Sequence, residues 1–114
     1  MNDLEFVARL QQAVTQAAGL RKVDELLRRG KGCHELYICK YRDAAIYLAR
    51  TNTDLGVIRL GELFGGRDSS TISTACRREK LRLDRNVPRR DKLTQAAWHQ
   101  TLLDAARKLE GTNA

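Results

Sequence analysis

The sequence is short of the residues that build sheets and of those that break helices. One Trp, three Tyr and two Phe are its aromatics, and one residue of 114 is Pro. Strands lean on aromatic and β-branched side chains, so this composition favours helices. No apolar run approaches the ~20 residues that a helical membrane span needs. The start, Met1-Asn-Asp-Leu-Glu, carries acid where a secretory signal carries base, and a cytoplasmic protein is expected. Cysteine is sparse as well. Cys33, Cys39 and Cys76 are odd in number and too few for a disulfide framework. Cys33, His34 and Cys39 lie near one another, but there is no C-x-x-C pair and no fourth ligand at a known spacing. Reduced thiols are expected and no metal.

Catalytic constellations are also wanting. There is no G-x-x-x-x-G-K-[ST] phosphate loop, so no nucleotide cofactor is expected. His34 and His99 suggest no Ser/His/Asp arrangement, and His99, beside Trp98, reads as packing or surface. Glu35, Asp43 and Glu62 do not have the spacing of a nuclease carboxylate set. The chain is not expected to be an enzyme.

Charge is what the sequence has in excess. Lys and Arg number 21 against 14 Asp and Glu, giving a net charge of +7 and a pI near 9.8. A domain pI above about 9 is an electrostatic footprint of nucleic-acid binding. The base is unevenly placed: residues 1–19 hold only Arg9, residues 20–50 hold eight Lys or Arg, and residues 59–92 hold ten. A surface that tracks phosphates needs such a concentration. The plainer alternative is a well-solvated basic face.

Hydrophobic periodicity gives six helical segments and no convincing strand. Leu4, Val7, Ala8, Leu10 and Val14 predict a helix over 3–18, with Asp3 as cap and Gly19 as stop. A short helix follows at Lys22 to Arg29, and then the basic loop Arg28-Arg29-Gly30-Lys31-Gly32. Residues 33–41 alternate like a strand but have no partner strand, so they read as loop or helix lead-in. A third helix covers 40–51, with Ala44, Ala45, Leu48 and Ala49 inward and Lys40, Arg42 and Arg50 available to solvent or a partner. Gly56 to Phe64 is a short helix ended by Gly65-Gly66. The next runs from about Ser69 to Arg82, with Asp68 as N-cap and Ile72, Ala75, Cys76 and Leu83 inward. The last lies within about 90–110 (Lys92 to Leu109). Its Trp98, Leu102 and Leu109 can pack on the chain's own core or on a second copy.

Two short helices joined by a tight Gly turn make a helix-turn-helix candidate. A second helix that enters the major groove needs small side chains for close approach. Ser69, Ser70, Thr71, Ser73 and Thr74 meet that need, and Arg67, Arg77 and Arg78 flank them. Ser and Thr can donate to base edges or phosphates, and a Thr methyl can meet a thymine methyl. An ordinary Ser/Thr-capped amphipathic helix is the alternative.

Longer motifs decide between them. Three stretches stand in order: Arg42-Asp-Ala-Ala-Ile-Tyr-Leu-Ala-Arg, Leu60-Gly-Glu-Leu-Phe-Gly-Gly-Arg-Asp-Ser-Ser-Thr-Ile, and Ala75-Cys76-Arg77. Together they resemble the C-terminal DNA-binding domain of the bacterial chromosomal replication initiators of the DnaA family. That family's motif runs Phe, two Gly, Arg, Asp, His, Thr, Thr, Val, followed shortly by Ala-Cys-Arg. Lys22-Val-Asp-Glu-Leu-Leu upstream also fits. The resemblance covers about residues 7–83, with a looser helical match to the end.

The resemblance implies an all-α fold of the Trp-repressor-like helix-turn-helix group, with residues 1–114 as one domain. It implies duplex DNA as ligand, read at a short asymmetric DnaA-box-like site. On this chain the family's base readers fall on Asp68, Ser69 and Ser70. Its thymine-methyl contacts fall on Val57 and Ile58. Its phosphate grips fall on Thr71, Arg42 and Arg50, beside the basic Lys40, Arg67 and Arg77. The loop residue that enters the minor groove has three candidates, Arg29, Lys31 and His34, because the loop is one residue longer here. The family's His is Ser69 in this chain, so the preferred box is expected to differ. A nucleoid-associated role in replication initiation or transcription follows. A second reading is a protein-interaction module that docks a helicase or the initiator itself. The initial Met and the compact pattern favour a stand-alone relative over an excised domain.

Overall fold

In the computed structural model, residues 2–28, 35–85 and 93–111 are described. They form six helices: α1 (Asp3–Ala17), α2 (Val23–Leu27), α3 (Glu35–Asn52), α4 (Val57–Leu63), α5 (Ser69–Arg85) and α6 (Gln95–Gly111). There is no strand among the described residues. The all-helical class is therefore as expected.

The ends of α1 show how the local sequence sets the boundaries. Its cap is Asn2, one residue before the expected Asp3, and Asn2 Oδ1 accepts from the Glu5 amide at 2.8 Å. Asp3 instead accepts from the Asp54 amide at 3.1 Å, tying the start of α1 to the connector after α3. At the other end Gly19 stands at φ +75°. Its amide donates to Gln16 O, and the Leu20 amide to Thr15 O, both at 3.0 Å. These paired bonds of a Schellman motif need a residue that tolerates the left-handed region.

The strand-like stretch at 33–41 is mostly helix, because α3 begins at Glu35. Packing explains this. Tyr37 and Tyr41, one helical turn apart, pack with their rings tilted and centroids 5.1 Å apart, and Tyr41 meets Trp98 of α6 edge-on at 5.3 Å. Tyr37 also donates to Ala18 O at 2.9 Å. The apolar side chains of this stretch thus have helical neighbours to pack on.

The core draws on all six helices: Leu10 and Val14 of α1, Leu26 of α2, Ala45 and Ala49 of α3, Leu60 of α4, Ile72 and Ala75 of α5, and Leu102 and Ala106 of α6. Phe64, just past α4, is fully buried among them. α1 packs on α6 and α3, while α5 packs on α3 and α4. Trp98 and Leu102 are buried inside this chain, so α6 uses its apolar face at home. The radius of gyration, 13.3 Å, matches the ~13 Å expected of a compact chain this long.

Candidate nucleic-acid interface

α4, the turn after it and α5 form the helix-turn-helix. The turn is built by glycine at close quarters. Gly65 and Gly66 stand at φ +85° and +74°, where a Cβ is strained. A Cβ on Gly61 would lie 2.0 Å from Arg67 O, and one on Gly65 would lie 2.7 Å from Leu27 O. The Arg67 amide donates back to Gly61 O at 2.9 Å, closing the turn. Gln11 of α1 donates to Leu63 O at 2.9 Å, which satisfies a carbonyl at the C-terminal end of α4.

α5 starts where expected. Asp68 Oδ1 accepts from the Thr71 amide at 3.0 Å, the hydrogen bond of an N-cap. The same oxygen accepts from the Ser70 hydroxyl at 2.6 Å. These bonds hold the Asp68 carboxyl below the usual carboxylate range, the Ser70 hydroxyl contributing most. Asp68, Ser70 and Thr71 are therefore brought together and ordered at an exposed helix start. Ser69 is half-buried, while Ser73, Thr74 and Arg77 are exposed further along.

The other predicted positions are more dispersed. Val57 and Ile58 open α4 at the end away from the turn, about 10 Å along a helix of seven residues. Ile58 is 71% exposed, whereas Val57 packs partly against the core. Lys40 and Arg50 are exposed on α3. Arg50 Nη1 reaches Leu55 O at 3.4 Å, and its charge is felt at Cys76 on α5. The minor-groove candidates Arg29, Lys31 and His34 lie outside the described residues, as does Cys33.

Arg42 faces inward, against expectation. It was expected to face solvent or a partner, but it is 7% exposed. Its Nε donates to Leu26 O at 2.7 Å and its Nη2 to Arg28 O at 3.2 Å. The cause is the C-terminal end of α2, whose last carbonyls have no partner within so short a helix. Arg67 is turned the same way: Nη1 donates to Leu27 O at 3.1 Å and to Phe64 O, and Nη2 reaches Arg28 O at 3.4 Å.

Sequence reasoning missed a buried polar network behind α5. Arg78, expected on the outer face, is drawn to α3 by Asp43, with Nε–Oδ2 and Nη2–Oδ1 both 2.9 Å. Arg82 Nη1 bridges Asp43 at 3.0 Å and Glu79 at 2.9 Å. The other oxygen of Glu79 meets Gln95 Nε2 and His99 Nε2 of α6, each at 2.6 Å. Burial pushes the Glu79 carboxyl up, but the bonds from His99, Arg82 and Gln95 outweigh it and hold the group below its ordinary range. An ionised carboxylate only accepts, so Nε2 of His99 carries the proton. One signal was legible: Glu79 falls in the Ile72, Ala75 stripe of α5, where an apolar residue would be ordinary. Burial pushes the Cys76 thiol up and keeps it protonated. Among the described residues no group of three His, Cys, Asp or Glu could hold a metal ion, and no helix is long and apolar enough to cross a membrane.

An all-helical core that presents a glycine-turned helix pair, with a small polar face at the start of the second helix, defines a helix-turn-helix protein. Residues 7–78 match the family model of the bacterial DnaA protein helix-turn-helix, and the chain belongs to that family. It is 31% identical over 91 residues to the chromosomal replication initiator protein DnaA of Roseiflexus castenholzii, covering 80% of this chain and 18% of that one. With its counterpart in Symbiobacterium thermophilum it shares 35% over 79 residues, 68% of this chain and 16% of the relative. With that of Corynebacterium jeikeium it shares 43% over 63 residues, 55% and 10% respectively. The matches thus cover less than a fifth of each relative's length.

Proposed function

We propose that this chain binds double-stranded DNA sequence-specifically at a DnaA-box-like site, in control of replication initiation or transcription, with residues 1–114 acting as one domain. The observation that carries this reading is the exposed start of α5. Small hydroxyl side chains there are ordered around the Asp68 cap, with Arg77 two turns along and exposed. Such a face can approach a groove floor closely. Asp68, Ser69 and Ser70 reach base edges, and Asp68 can accept from a base amino group through Oδ2, the oxygen its cap bonds leave open. Ile58 and Val57 meet thymine methyls. Thr71, Lys40, Arg50 and Arg77 hold phosphates, which fix register without reading sequence. Ser69 in place of the family's His shortens one reader and shifts the preferred box. Duplex DNA as ligand places the chain at the nucleoid.

The test compares two substitutions across a panel of duplexes. Ser70→Ala is expected to narrow the gap between the best and the scrambled duplex. Arg77→Ala is expected to weaken all duplexes alike and to reduce the salt slope by about one. If both variants bind every duplex as the parent does, α5 is not the reading helix.

A further inference from the structure

We propose that Arg67 and Arg42 are positioning residues that lock the helix-turn-helix onto the C-terminal end of α2, and that neither is a phosphate ligand. This rests on the DNA-binding reading above. Helices leave their last carbonyls without intrahelical partners, and the dipole favours a cation there. α2 has only five residues and no basic residue in its last turn. Its carbonyls are capped from elsewhere in the chain. Arg42 of α3 takes Leu26 O and Arg28 O, and Arg67 of the turn takes Leu27 O, reaches Arg28 O and also donates to Phe64 O. The two guanidinium groups, one from each side, meet on Arg28 O.

The glycines belong to the same joint. A Cβ on Gly65 would crowd both Leu27 O, at 2.7 Å, and Arg67 Nη1, at 2.8 Å. The turn and the end of α2 therefore touch as backbone against backbone, with Arg67 filling what remains. Asp68 follows Arg67 directly, so whatever fixes Arg67 fixes the cap and start of α5. A guanidinium has five donors in a planar fork and can span two carbonyls; an ammonium is a point charge that cannot hold the same geometry. Reaching a phosphate would require Arg42 to abandon two carbonyls from a site only 7% exposed.

Lysine separates the two roles, because it keeps the charge and loses the fork. Arg67→Lys, Arg67→Met and Gly65→Ala in the full chain are titrated with a DnaA-box duplex and a scrambled duplex at several salt concentrations, with Arg77→Met as the phosphate control. Arg67→Lys should behave like Arg67→Met. Both lose roughly tenfold or more in box-over-scrambled preference, both keep the parent's salt slope, and Gly65→Ala does the same by prising the turn off Leu27. Arg77→Met alone flattens the slope, by about 0.9. Wild-type preference and slope in Arg67→Lys would overturn the inference, as would a flattened slope in Arg67→Met. If the parent chain binds no duplex, the DNA reading fails by itself. The urea midpoints then decide the joint: a lower midpoint for Arg67→Lys and for Arg42→Lys supports it, and parental midpoints overturn it.

Discussion

Arg78 of α5 and Asp43 of α3 form a two-pronged ion pair, each guanidinium nitrogen 2.9 Å from its own carboxylate oxygen. Asp43 is buried, Arg78 half-exposed, and Arg82 closes on Asp43 from one helical turn further along. One acidic side chain on α3 thus orients two bases of α5 toward the protein, while Arg77, Lys80 and Arg85 stay exposed. The pair fixes the roll of α5 about its own axis.

Replacing Asp43 should therefore cost stability. Asp43→Asn removes the charge from both pairs and leaves a buried amide against two cations. Because the arginines are partly exposed, water limits the loss to about 1–3 kcal/mol. At roughly 4–8 °C per kcal/mol for a domain near this size, thermal melts at neutral pH will resolve it. Arg78→Ala should cost less, because Arg82 still partners Asp43. A parental melting temperature for Asp43→Asn would show that the network adds nothing.

Glu79 gives the fold a defined acid response. Its folded carboxyl lies below the ordinary value of 4.5. A depressed carboxyl contributes stability that is present above the unfolded value and lost as pH falls through the folded one. Stability should therefore decline from about pH 5 downward. Glu79→Gln, which has no such proton to take up, should be less stable at neutral pH and lose less on acidification. Urea unfolding at pH 7, 5, 4 and 3 measures this, and equal pH slopes in the two proteins would contradict it.

The glycine of α4 and the two of the turn should rank by what a methyl group would meet. Gly61→Ala places Cβ 2.0 Å from Arg67 O and should be the most damaging. Gly65→Ala combines positive φ with a 2.7 Å approach to Leu27 O and comes next. Gly66→Ala meets open space and bears only the left-handed penalty, about 1–2 kcal/mol. Chemical denaturation of the three variants gives the order, and Gly66→Ala as the worst would refute it.

Much of this was legible before the structure. Gly65-Gly66 and Asp68 punctuate the chain so strongly that the helix pair and the start of α5 follow from turn and cap chemistry. The start of α3 was not legible. Tyr37, Ile38 and Tyr41 fit an alternating pattern as well as a helical one, and only their packing on Trp98 and Ala18 decides. The direction of long side chains was hidden for a related reason. Arg78 sits at a position that a helical wheel leaves open, and a carboxylate on another helix turns it inward; Arg42 falls beside Ala45 and Ala49 on the wheel, but its charge argued for solvent until the carbonyl end of α2 was in view. The partners Glu79 and His99 are twenty residues apart, beyond the reach of local pattern.

The proposed function requires this chain to read DNA sequence rather than only to grip phosphate. Fluorescence anisotropy with a labelled DnaA-box duplex and a scrambled duplex of equal length, at two salt concentrations, tests it most directly. Specific readers hold their site typically 10³-fold or more above nonspecific DNA, so tighter binding to the box at both salts is the expected result. Equal binding to the two duplexes that falls steeply with salt would mean a basic surface without readout, and sequence-specific recognition would be ruled out.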